Sequence, residues 1–220
     1  MFDLRNLDRL LMGLIVLTLI ATVAIYIVDE EYFWSTFAAE DRLVEYGTAV
    51  ALLAASVVLA FNAVSIGGRG ARLQAALTVV YALMFFLAAG EEVSWGQRIF
   101  GWESSEFFKD NNKQYETNFH NLMIGDLHLA KTLFGPILTT VLLLYLVVLP
   151  LLYPRVGWIR RLADKFAVPV PGLRHAVLAL TASLVIAAID VGRKWEVYEL
   201  VFSLLATSIF LLPQNRDKTT

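Results

Sequence analysis

LLMGLIVLTLIATVAIYIVDEE, residues 10–31, is the stretch that decides the fold. From Leu10 to Val28 no side chain is charged, and the run stops at Asp29, Glu30 and Glu31. A helix of about 19 residues rises roughly 28 Å, close to the ~30 Å hydrocarbon core of a bilayer. Arg5 and Arg9 precede it, as positive charge precedes a secretory signal. A signal core is shorter, roughly 7–15 residues, so the run reads as a retained span.

Five further apolar runs follow: Leu43–Val64, Leu73–Gly90, Thr132–Tyr153, Leu173–Ile189 and Val197–Leu212. They predict an all-α integral membrane protein, with about six transmembrane helices in one compact polytopic domain over residues 1–220. Pro136 falls in the first turn of the fourth span, where a missing N–H costs little. Pro150, near its end, is expected to kink or stop it. The composition agrees. Of 220 residues, 58% are hydrophobic and 17% charged, against about a quarter charged in soluble domains.

Other readings fall away on composition. A net charge of −2 gives nucleic acid no electrostatic footing. Without cysteine there are no disulfides, thiolate metal sites, iron–sulfur clusters or attached c-type haem.

Lys and Arg set the expected orientation. With the N-terminus inside, Arg5, Arg9, Arg69, Arg72, Arg155, Arg160, Arg161, Lys165, Arg174, Arg216 and Lys218 fall on the cytoplasmic side. Arg42, Arg98, Lys109, Lys113, Lys131, Arg193 and Lys194 fall outside. Both termini are therefore expected in the cytoplasm. Compact form, short loops and the lack of an Asn-x-Ser/Thr site point to a bacterial-type inner membrane. Ser65 to Gly70 is Gly-rich but lacks the ending of a phosphate loop, and reads as a flexible turn. Between the fourth and fifth spans, Trp158, Ile159, Leu162 and Phe166 alternate at helical spacing with Arg160, Arg161 and Lys165. This predicts a short amphipathic cytoplasmic helix on anionic headgroups, ended by Pro169 and Pro171.

Sixteen of the 20 carboxylates fall outside or at the outer ends of spans, and four stretches meet there. They are Glu40–Tyr46, Gly90–Arg98, the loop holding Asn111–Asn112, Glu116–Asn121, Asp126 and His128, and Asp190–Glu199. Glu45, Glu92 and Glu199 lie within or beside apolar runs, where an ionisable group costs up to ~2.5–3.5 kcal/mol and takes a partner. Arg98, Arg193 and Lys194 are the candidate partners. Glu196 and Glu199, three apart, share a helix face; Glu116 and His120 would do so if their stretch is helical. A buried ion-pair network tying helix ends together explains these residues as well as chemistry does.

The sharper reading is a metal site. Carboxylates with imidazole suit Zn²⁺, Mn²⁺ or Fe²⁺, and carboxylates with amide oxygens suit Ca²⁺ or Mg²⁺. The candidate ligands are Glu92, His120, Glu199, Glu196 and Glu45. Glu91, Glu92, Ser94 and Arg98 are the candidate catalytic residues. Gln97, Asn118, Asn121 and Lys194 are candidates to position a substrate. Alkaline ceramidase-like membrane hydrolases place a His-x-x-x-His pair in a late span, where this chain has Glu196 and Glu199 instead. Aromatic residues from Phe33 to Trp195 ring the cluster as an interfacial belt. Ser105 is placed to cap a short interfacial helix through Phe107 and Phe108, ending at Asn111–Asn112.

These features suit a membrane-embedded, metal-assisted hydrolase or transferase acting on a lipid or lipid-linked substrate at the outer leaflet, with a divalent metal as the implied cofactor. The alternative is a scaffold or accessory subunit whose acidic outer face docks a protein. A proton- or cation-coupled transporter ranks third, because only Asn62, Gln74 and Thr78 stand out as polar in the inner halves of the spans. Membrane lipid is the expected partner, and nucleic acid is not.

Overall fold

The computed structural model describes residues 3–119, 121–124, 127–128 and 137–220. Helix α1 runs over Leu4–Val28, with the Asp3 carboxylate accepting from the Arg5 N–H at its start. A short helix α2, Glu30–Tyr32, passes into a π-turn over Phe33–Phe37. Helices α3, Leu43–Gly68, and α4, Arg72–Glu92, form a hairpin. After them come α5, Gln97–Phe100, and α6, Glu106–Asn111. A two-residue hairpin pairs β1, Met123–Ile124, with β2, Leu127–His128. Then follow α7, Leu138–Leu143, a π-turn over Leu144–Val148, and α8, Leu149–Leu152. The chain closes with α9, Gly157–Lys165, α10, Leu173–Ala188, α11, Lys194–Leu211, and α12, Arg216–Thr219.

The architecture is all-helical apart from that hairpin, and α1, α3 and α4 are long and apolar enough to cross a membrane. Leu138–Leu152 and Leu173–Ala188 are shorter apolar helices. The buried face of α3 is rich in small residues, with Ala49, Ala51, Ala55, Ser56 and Ala63 between Val44, Leu59 and Ile66. Other large residues of the helix, among them Val50, Phe61 and Val64, are turned outward. In α4 the buried residues are Thr78, Ala82 and Ala89, and in α10 they include Ala176, Ala179 and Ala182. Small residues let helix backbones approach, while large apolar ones face lipid. In water such an exterior would be a continuous sticky surface.

Helix α11 is the axis of the bundle and packs on α3, α1 and α10. It is buried nearly all round from Val197 to Leu211, as a central helix must be. Ser56 Oγ donates to the Ala82 carbonyl at 2.8 Å and binds α3 to α4, and Thr207 Oγ1 donates to the Ala51 carbonyl at 2.9 Å and binds α11 to α3.

The structure refines three local expectations. The Gly-rich connector is a tight turn, because α3 continues to Gly68 and only Gly70, at φ +81°, takes the left-handed conformation. Of kinking or stopping, Pro150 goes with the first: a π-turn over Leu144–Val148, an irregularity of the kind that accompanies kinks, precedes it, and the helix runs on only to Leu152. Ser105 stands at the start of α6 but makes no side-chain cap bond. Pro136 lies outside the described residues.

A buried polar latch ties α1, α10 and α11 at the end away from the carboxylates. Asp8, 2% exposed, takes a two-pronged ion pair from Arg174 at 2.9 and 3.0 Å. The Gly172 N–H donates to His175 Nδ1 at 2.8 Å, which leaves the proton on Nε2. Nε2 meets Ser208 Oγ at 3.0 Å, and Ser208 donates onward to Asp8 at 2.5 Å.

Candidate functional site

At the other end, α4 stops in an unusual way. Three consecutive residues, Ser94, Trp95 and Gly96, adopt φ of +46°, +56° and +78°. For a residue with a Cβ this conformation costs on the order of 1–2 kcal/mol, so the turn needs fixed partners. The Trp95 ring lies on Gly90, where a Cβ would come within 2.8 Å of it. Its Nε1–H donates to Glu91 Oε1 at 3.0 Å, and Glu91 Oε2 accepts from the Phe119 N–H at 2.5 Å. A Cβ on Gly96 would meet the Phe100 ring at 2.8 Å.

Ser94 itself is buried and enters a closed network. Its hydroxyl donates to Glu116 Oε2 at 2.6 Å and accepts from Asn118 Nδ2 at 2.9 Å. Asn118, 1% exposed, also donates to Glu116 Oε2 at 2.9 Å, and its own Oδ1 accepts from Asn112 Nδ2 at 2.9 Å. The guanidinium of Arg98 pairs with Glu116, with Asp41 ahead of α3, and with Glu40 at 3.7 Å. Gln97 Oε1 accepts from Ser104 Oγ and the Thr117 N–H, each at 2.9 Å. Asn121 donates to Gln114 Oε1 at 2.8 Å, and Gln114 to Glu40 at 3.1 Å. The loop after α4 is thus a polar cap bolted to the start of α3. Asp41, Ser94, Trp95 and Tyr115, four of the five non-glycine residues with positive φ among the described residues, sit in this cap. Such strain gathers where surroundings over-determine a conformation, as at functional sites.

Beside the cap, Glu92 from α4 meets Glu196 and Glu199 from α11, with a carboxylate oxygen of each within 4.8 Å of the others. Glu92 and Glu196 are half-buried and Glu199 is exposed, so the group opens outward. Glu45 lies within electrostatic range of all three, and its carboxylate accepts from the Asp41 N–H. No Lys or Arg is in ion-pair contact with the three carboxylates among the described residues, although Arg193 lies within electrostatic range of Glu196. Arg193 stacks 5.3 Å over the Trp34 ring, and Lys194 Nζ donates to the Ile189 carbonyl at 2.5 Å, closing the end of α10. At an effective dielectric of 20, two like charges ~4.8 Å apart repel by roughly 3 kcal/mol. Repulsion of this size is relieved by a shared proton or by a bound cation.

The described residues among those singled out from sequence fall in three places. Glu92, Glu196 and Glu199 come together as a triad with Glu45 nearby. Ser94, Gln97, Arg98 and Asn118 are bound into the cap, with Asn121 at its edge and Glu91 holding Trp95 to it. Lys194 belongs to the α10 end. His120 and Asp126 lie outside the described residues. Glu116 is not on a helix shared with His120; it serves Ser94 and Arg98 instead. Sequence reasoning gave no role to Asp41, Asn112 or Ser104, nor to the Asp8 latch at the far end. For Ser104 and Asn112 the signal was the paired Ser104–Ser105 and Asn111–Asn112; Asp41 and Asp8 carry none. Compared with protein-family models, with curated proteins and with solved structures, the chain matches none.

Proposed function

We propose that this protein crosses a bacterial-type inner membrane about six times with both termini cytoplasmic. There it acts as a metal-assisted hydrolase or transferase on a lipid or lipid-linked substrate at the outer leaflet. The observation that carries the reading is the convergence of Glu92, Glu196 and Glu199 with no Lys or Arg in ion-pair contact with them among the described residues. Three carboxylate oxygens at this spacing form a hard donor set suited to Mg²⁺, Mn²⁺ or Ca²⁺. Such an ion polarises an ester or phosphoryl oxygen and acidifies bound water.

In this reading Glu92, Glu196 and Glu199 are the ligands, with Glu45 behind them. Glu91 acts by holding Trp95 and the Phe119 backbone in place. Ser94 and Arg98 brace the wall of the site, with Gln97, Asn118 and Asn121 along it. The exposed Glu199 leaves the cluster open to a headgroup.

A second reading, a scaffold or accessory subunit, is favoured by the cap. Its cross-linked loop exposes Phe107, Tyr115 and Phe119 to a prospective protein partner. Transport ranks below both. Ser203 and Thr207 line α11 beneath Glu199, but each donates to a backbone carbonyl rather than to the next hydroxyl.

The test is direct. Detergent-purified protein, stripped with chelator, is titrated with Mg²⁺, Mn²⁺ and Ca²⁺ while thermal unfolding is followed. A ligand at 100 times its Kd stabilises by about 2.7 kcal/mol, and Glu92→Gln with Glu199→Gln should abolish the rise. If none of the three ions shifts the wild-type transition, the metal reading is lost. If ions bind but a panel of phospholipid and lipid-linked esters is not turned over, the enzyme reading fails alone.

A further inference from the structure

Helix α9 carries a surface that the carboxylate end does not use. Ala163 is buried and Ile159 half-buried, which sets the side facing the bundle. Trp158, Leu162 and Phe166, each four residues from the next, stand exposed in one line. Beside them Arg160, Arg161 and Lys165 are exposed, and none is in an ion pair among the described residues. The one acid of the helix, Asp164, is turned away. Its Oδ1 accepts from the Tyr153 hydroxyl at 2.9 Å and from Asn215 Nδ2 at 3.2 Å. What the sequence shows as a mixed-charge helix therefore presents only apolar and positive groups outward.

The surface is also held in place. The Phe166 carbonyl accepts from the Tyr81 hydroxyl at 2.9 Å, and the Lys165 carbonyl from Gln74 Nε2 at 3.5 Å. Both donors belong to α4, whose Val79, Val80 and Leu83 are exposed and apolar. The stripe on α9 is thus fixed beside the exposed apolar surface of α4, with cations next to it, a pairing of groups that suits the boundary between hydrocarbon and headgroups.

We infer that this face of α9 is a binding surface for anionic phospholipid headgroups, and that it selects them over zwitterionic ones by charge. Tyr153 and Asn215 are positioning residues, since by holding Asp164 inward they keep the outward face free of negative charge. The surface lies at the opposite end of the bundle from the carboxylates and stands independently of any reading of them.

Trp158 provides the probe. Full-length protein is reconstituted in phosphatidylcholine bilayers containing a small fraction of brominated phosphatidylglycerol or brominated phosphatidylcholine. Quenching of Trp158 is the difference between wild type and Trp158→Phe. A cation near an anionic surface contributes roughly fivefold each, so the three together favour the anionic lipid by up to about a hundredfold. Arg160→Gln, Arg161→Gln and Lys165→Gln combined should bring the two lipids to parity. Raising salt to roughly 1 M, where screening acts within ~3 Å, should do the same to the wild type and needs no folded variant. Equal quenching by the two lipids in low salt overturns the proposal. So does a preference that survives both the triple substitution and the salt, or a Trp158 that neither lipid quenches because a protein covers it.

Discussion

Ser94 Oγ and Glu116 Oε2 lie 2.6 Å apart, joining the strained turn after α4 to a carboxylate 22 residues further on. The bond sits inside the cap, with Asn118 donating to both atoms. Its strength and the left-handed φ of Ser94 oppose each other, and that opposition can be measured. Ser94→Ala loses the hydroxyl and keeps the strained backbone, at about 1–3 kcal/mol for the underused carboxylate. Ser94→Gly loses the same bond but relieves the strain, recovering on the order of 1 kcal/mol. In chemical unfolding from mild detergent, the alanine variant should be the less stable of the two. A glycine variant no better than alanine would show that the turn is not strained.

Gly90 and Trp95 form a second coupled pair. Any Cβ at position 90 enters the indole, so Gly90→Ala must displace Trp95 and break its bond to Glu91. Forcing a methyl into a packed site costs typically 1–3 kcal/mol. In a Trp95→Ala background the same substitution meets no ring and should cost almost nothing. A cycle of the four proteins, read by thermal unfolding, gives the coupling directly. Additive effects would mean that the ring does not rest on Gly90.

Glu103 and Lys109 pair at 2.7 Å on the surface of the cap. The hydrogen bond from Lys109, reinforced by its charge, holds the Glu103 carboxyl below the usual glutamate range. A carboxyl with a depressed folded pKa adds stability above its unfolded pKa and loses it as pH falls through the folded value. Both groups are exposed, so the effect on melting temperature should be negligible. Carbon-detected titration of labelled protein should find Glu103 titrating lower than in Lys109→Met, while the two proteins melt together.

What was legible follows from which signals survive in a membrane chain. The apolar runs mark α1, α3 and α4 because lipid demands length and hydrophobicity. The i, i+3 spacing of Glu196 and Glu199 placed both on one face of α11, and antiparallel helices brought Glu92 to the same end. Which face of each helix is buried was less visible, since large apolar residues occur on both sides. Small residues mark it in α3 and α10, a signal that hydrophobic periodicity ignores. The cap was not legible. It depends on four non-glycine residues in left-handed geometry and on Glu116 reaching back to Ser94 and Arg98. Arg98, read as a partner for the membrane carboxylates, is taken by Asp41, Glu40 and Glu116.

Asp8 is one of the four carboxylates that do not fall at the outer ends, and it lies on the stripe of α1 that also buries Leu11, Ile15, Leu19 and Thr22. That placement makes a stability prediction. Arg174→Gln strands the buried Asp8 carboxylate with one hydroxyl donor in Ser208, and leaving a buried charge without its partner costs about 3–5 kcal/mol. Asp8→Ala should cost less, because the Arg174 side chain it leaves behind is 47% exposed and water can take up its charge. The double variant Asp8→Ala with Arg174→Gln should be more stable than Arg174→Gln alone, because no unpaired buried charge is left behind. Unfolding of the four proteins in detergent decides it. A double variant that simply sums the two losses would mean that Asp8 and Arg174 act separately, and that the latch between α1 and α10 rests on packing alone.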